Sequence, residues 1–122
     1  MKIFKLTIPG DCPTKKNSGR MIKRGRAIFR IPNAYHEAWH DENMLRLRQP
    51  VKPFGIVQEV SMTIYPKTAR KSDLTNKAES IMDLLVDLGY LEDDNWTIVP
   101  AVSLKFGGID KLKPRVEVEI KI

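Results

Sequence analysis

Cysteine is almost absent: Cys12 stands alone in 122 residues. An internal disulfide is therefore excluded, and with it the small scaffolds stapled by several bridges. Histidine is nearly as scarce, with only His36 and His40, which rules out an all-imidazole metal centre of three or more ligands. No apolar run approaches the ~18 residues of a membrane span. The start, MKIFKLTIPG, has no apolar core of the kind a secretory signal needs. These absences lead us to expect a reducing, cytoplasmic setting and no membrane partner. There is also no internal repeat or low-complexity tract. What remains is 42% hydrophobic residues, enough for a chain of this length to build one core, so a single domain over residues 1–122 is expected. Lys and Arg number 21 against 15 Asp and Glu, a net charge of +6. That balance favours a polyanionic partner, nucleic acid first.

Ile3 to Ile8 reads as a strand stopped by Pro9-Gly10. After a loop, Arg20 to Arg30 reads as a basic hairpin around Gly25. Asn33 is placed to cap a helix running to about Arg48, with Tyr35, Ala38, Trp39 and Leu45 on the stripe expected to face a sheet. Ile56 to Tyr65 alternates with period 2, as a half-buried strand does. Ser72 or Asp73 can cap a helix through Leu88, with Gly89 just beyond it. Leu74, Ala78, Ile81, Leu85 and Leu88 share one side of that helix. A strand pair is then expected, Trp96 to Phe106 and Val116 to Ile122, joined through Gly107-Gly108. The expected fold is α+β, a mixed sheet with two main helices packed on one face.

Three constellations carry possible chemistry. His36-Glu37-Ala38-Trp39-His40 matches the helical H-E-x-x-H pattern of a zinc peptidase, but no third histidine exists and two solvated imidazoles explain it as well. Acidic residues bracket the second predicted helix: Asp73 at its start and Glu92-Asp93-Asp94 beyond its end. Converged carboxylates of that kind suit Mg²⁺ or Mn²⁺ and phosphodiester hydrolysis. Convergence requires the acidic loop to fold back to the helix start or a second subunit to supply it. The third constellation is basic: Lys15, Lys16, Arg20, Lys23, Arg24, Arg26 and Arg30, then Lys67, Arg70 and Lys71. These are candidate DNA contacts, with Asn17 in the same loop. Trp96 is expected in the core, with base stacking as the alternative.

From Arg70-Lys71-Ser72-Asp73-Leu74-Thr75-Asn76-Lys77-Ala78-Glu79 to Gly89-Tyr90-Leu91-Glu92-Asp93-Asp94, the chain resembles the RusA family of Holliday-junction resolvases. The likeness extends to the first strand, the Pro13 to Asn17 loop and the basic hairpin. It implies a small homodimeric endonuclease that uses Mg²⁺ to cut four-way DNA junctions by paired nicks, in recombination and repair. It further implies Asp73, Asp93 and Asp94 as metal ligands, Asp73 and Asp94 being catalytic, with Asn76 and Lys77 at the scissile phosphate. Two positions depart from the family pattern: Thr75 stands where a second Asp is usual, and Glu79 where a Lys is usual. Lys77 lies one turn from Asp73 on nearly the same side and is a replacement for that lysine. Glu79 is a candidate replacement carboxylate, although it points about 120° away from Asp73 and roughly 9 Å further along the helix. The missing acid at Thr75 motivates a rival reading, a branched-DNA-binding protein without catalysis.

Overall fold

The computed structural model describes residues 2–14, 19–32 and 34–122, with the backbone alone described at 19–24 and 28–32. Strand β1 (Ile3–Pro9) is followed by the hairpin β2 (Gly19–Arg24) and β3 (Ala27–Pro32), then helix α1 (Ala34–Arg46) and strand β4 (Glu59–Tyr65). Helix α2 (Leu74–Leu88), strand β5 (Val102–Phe106) and strand β6 (Arg115–Lys121) complete the order. Four strands form one sheet in the order β1-β6-β4-β5, and β2-β3 form a separate ribbon. The architecture is α+β with a mixed sheet: β6 is antiparallel to both β1 and β4, whereas β5 lies parallel to β4.

The period-2 pattern seen in the sequence explains the sheet. Val60, Met62 and Ile64 of β4, with Val116, Val118 and Ile120 of β6, are all buried on one face. The alternate residues face the other way and pair as polar groups. Glu59 lies opposite Lys121 and bonds it at 2.8 Å, and Lys5 approaches Glu119 at 3.8 Å. One dry face and one wet face is the usual state of antiparallel strands. Helix α2 supplies the other half of the core through Ile81, Leu84, Leu85 and Leu88. It ends where the sequence predicts, because Gly89 takes the left-handed conformation, φ 93°, which a Cβ disfavours. The Gly89 N–H then reaches the Val86 carbonyl and the Tyr90 N–H that of Leu85, the paired closure of a Schellman motif.

Five expectations are corrected. β5 and β6 are not paired with each other: α2 serves as the crossover of a β4-α2-β5 unit, which makes β5 a parallel neighbour on the outer edge of β4 and leaves β6 to lie between β1 and β4. Alternation identifies a strand but says nothing of its neighbour. Trp96 is 84% exposed and lies before β5, so it anchors no core. On α1 the stripe shrinks to Trp39 and Asn43, while Tyr35 and Leu45 are exposed. The helix also stops at Arg46, and β4 starts at Glu59 rather than Ile56. Asn33, Lys15, Lys16 and Asn17 lie outside the described residues.

Leu84→Ala is expected to destabilise the fold by about 2–5 kcal/mol because it leaves a cavity in a fully buried site. Leu45→Ala, at an exposed position, should change stability by less than about 0.5 kcal/mol; urea midpoints of the two variants make the comparison. Hydrogen bonding from Lys121 is the first cause holding the Glu59 carboxyl below its ordinary value of 4.5. A depressed carboxyl contributes stability above its unfolded pKa and loses it as pH falls through the folded one. Stability measured against pH should therefore drop below about 4.5, and less steeply in Glu59→Gln.

Candidate functional site

The β4-α2 connection, residues 66–73, passes the segment that follows β1, and a cleft of about 600 Å³ opens between them. Asp73 occupies the cap position of α2 with extended backbone angles, φ −79° and ψ 126°. Its side chain makes no capping hydrogen bond, in contrast to the capping role such an acid ordinarily takes. It lines the cleft instead, together with Asn76 and Lys77 one turn along. Arg70 and Lys71 line the same cleft from the loop. Five sequence candidates that span eight positions thus surround one space.

Asp11 lines the cleft from the opposite side and escaped the sequence reading. Its Oδ1 accepts the Lys67 backbone N–H at 3.1 Å, and its carbonyl accepts the Tyr35 hydroxyl at 2.5 Å. One residue therefore joins the β1 segment to the β4-α2 loop and to the start of α1. Half of Tyr35 is exposed, yet its phenol is pushed above its ordinary value, first by desolvation and then by the Asp11 charge. The signal in the sequence was slight: Asp11 is the single acid in the first 36 residues, set against a basic background.

Lys77 is fixed rather than free. Its Nζ donates to the Cys12 carbonyl at 2.5 Å, and the Cys12 thiol faces the Lys77 carbonyl at 3.7 Å. Cys12 is 2% exposed, and burial pushes its thiol up to about 12, so it stays protonated as a packing group. The clasp sets the ammonium of Lys77 at the wall of the cleft without consuming the charge.

The acidic pair lies elsewhere. One carboxylate oxygen of Asp93 accepts the Asp94 N–H at 2.7 Å and the other accepts the Asn95 side-chain N–H at 3.0 Å, which holds it below its ordinary value. Asp94 is raised, chiefly by desolvation, then by Asp93, with Asp83 a further neighbour. Asp83 is ten residues beyond Asp73, about 15 Å along the helix axis. The acidic loop does not fold back to the helix start within one chain. Glu79 is exposed on α2 and is absent from the cleft lining. Among the described residues, no group of three or more His, Cys, Asp or Glu is placed to hold a metal ion.

At the H-E-x-x-H segment the two rings stack with centroids 6.4 Å apart. His40 commits Nε2 to Asp87 at 2.7 Å and turns Nδ1 toward Asp41 at 3.6 Å, tying α1 to α2. Of the basic candidates, Lys67 and Arg26 are exposed, and Arg20, Lys23, Arg24 and Arg30 lie on the β2-β3 ribbon, where only the backbone is described. Among the described residues, no helix is long and apolar enough to cross a membrane. No protein-family model matches the chain, and no curated protein matches it significantly.

Asp11→Ala should speed amide exchange at Lys67 and destabilise the fold by about 0.5–1.5 kcal/mol, the usual net worth of one hydrogen bond. Hydrogen-exchange NMR with a parallel urea titration measures both.

Proposed function

We propose that the chain is a Mg²⁺-dependent endonuclease acting on branched DNA, in line with its resemblance to the RusA resolvases. The observation that carries the reading is the state of Asp73: a helix-cap acid that does not cap, facing a cleft with a second carboxylate and three cations. A purely structural acid at that position would bond the helix N–H groups.

The donor set fits the ion the reading requires. Mg²⁺ is ordinarily held by one or two carboxylates, with waters and substrate phosphate completing its shell, and Asp73 and Asp11 are the two carboxylates at the cleft. When bound it supplies charge neutralisation at the phosphate and activation of the attacking water. Arg70 and Lys71 receive phosphate oxygens, the arginine in two-pronged fashion. The open N-terminus of α2 favours the same negative charge. Lys77, held by the Cys12 carbonyl, meets the charge that develops on the phosphate, and Asn76 donates from the same turn. The basic ribbon would hold the arms of the junction, and a two-fold dimer would present one cleft to each of two equivalent strands. Because Asp94 lies off the cleft in a single chain, its part in the reaction requires a second copy.

The remoteness of Asp94 from Asp73 favours one rival, a branched-DNA-binding protein without hydrolysis. A labelled four-way junction and a linear duplex, incubated with protein and Mg²⁺, Mn²⁺ or EDTA, separate the two. The expected outcome is paired nicks in the junction alone, abolished by EDTA and lowered by at least about 100-fold in Asp73→Asn, a magnitude usual for removing a group that acts in the transition state. Salt-sensitive binding with no nick under any metal would establish the rival instead.

A further inference from the structure

We infer that the protein holds one unpaired nucleobase of its DNA substrate in an apolar niche beside the cleft, stacked on Phe106. The inference rests on the nucleic-acid reading above and assigns a base contact that the reading lacks. The niche measures about 300 Å³ and is lined by Ile64, Leu74, Phe106 and Ile109, with Arg70 and Lys71 at its rim. Its volume sits at the lower end of small-ligand sites, the scale of a single planar ring system.

Three observations specify this occupant. The niche and the cleft share the wall formed by Pro66, Thr68, Arg70, Lys71 and Ser72, so a strand whose phosphate lies against the two cations has its neighbouring base at the niche. Phe106 closes the edge strand β5 at 60% exposure, and Ile109 is 48% exposed. These side chains contribute little to the core, and an open aromatic face beside backbone-gripping cations is the arrangement that single-strand binders use. The niche is also built before any ligand arrives. The Gly107 N–H bonds the Ile64 carbonyl at 2.8 Å and the Asp110 N–H the Pro66 carbonyl at 2.9 Å. A Cβ at Gly107 would stand 2.5 Å from the Tyr65 ring, so only glycine lets the chain pass there. Arg115 then bonds Asp110 at 2.9 Å while lying 4.0 Å above the Tyr65 ring. The loop that carries Ile109 is thereby pinned at both ends, and a rigid platform loses little entropy when a base settles on it. A base must leave its stack and its pairing partner to enter the niche, and this costs least where it is already unpaired.

The test uses the full chain and a four-way junction carrying 2-aminopurine at successive positions around the branch point, read by fluorescence and by binding across a salt series. Phe106→Ala should weaken binding about 5- to 150-fold, the range for loss of one stacked base. The slope of log affinity against log salt should stay unchanged, since no charge is removed. Quenching of 2-aminopurine at one position should disappear in Phe106→Ala and return in Phe106→Tyr. Ile109→Ser, which leaves the ring in place, should give a smaller loss at the same position. Wild-type affinity and quenching in Phe106→Ala, in a variant whose thermal unfolding matches the parent, would overturn the niche while leaving the nuclease reading intact. Failure of the parent chain to bind either junction or single strand would overturn both.

Discussion

The seating of α2 on β4 and β6 governs everything else in this molecule. Ile81, Leu84, Leu85 and Leu88 fill the space over Val60, Met62, Ile64, Val116, Val118 and Ile120, all essentially without solvent contact. Close packing of that kind allows little slippage, since even a methylene out of place is felt. The helix is consequently fixed in rotation and along its axis. Its C-terminus is closed by Gly89, and its N-terminus is delivered to the mouth of the cleft with the Asp73 side chain making no capping bond.

On that rigid base the two flanking segments are joined by few and specific contacts. Asp11 receives Lys67, Lys77 reaches the Cys12 carbonyl, and Tyr35 reaches the Asp11 carbonyl. Each contact uses a backbone atom on at least one side, so the segments are tied together without pairing one charged side chain with another. The β4-α2 loop gains the most, because it forms a wall common to the polar cleft and the apolar niche. A cation-lined polar cleft and an apolar niche are set side by side by one short connection. Loops carried by a rigid scaffold are where such sites generally arise.

The strands, the two helices and the end of α2 were legible because each is a local pattern: period 2, a helical stripe, and a glycine where the chain must turn left-handed. The grouping of Asp73, Asn76 and Lys77 was legible for the same reason, since one helical turn places them together. Asp11 was not, because its role depends on β1 delivering it to Lys67, 56 positions away in sequence. The pairing of β5 escaped notice likewise: hydrophobic alternation is the same whichever strand lies alongside. The α1 stripe was overestimated because helical periodicity marks a possible apolar face and not how much of it finds a partner. Tyr35 stays 51% exposed and Leu45 88%.

The sequence by itself determined what depends on neighbours within about a turn: the elements, the end of α2 at Gly89, the net charge of +6, the basic loops and the acid at the head of α2. Tertiary structure alone decided which distant residues share a space. It brought Asp11 to the cleft that Asp73 lines and Phe106 to the Arg70 loop, and it left Asp93 and Asp94 near Asp83, far along the helix. The physical reason is the reach of the forces involved. Helical and pleated geometry repeats over a few residues of chain, whereas the meeting of remote groups follows from how apolar faces pack, a property of the whole sheet and helix assembly.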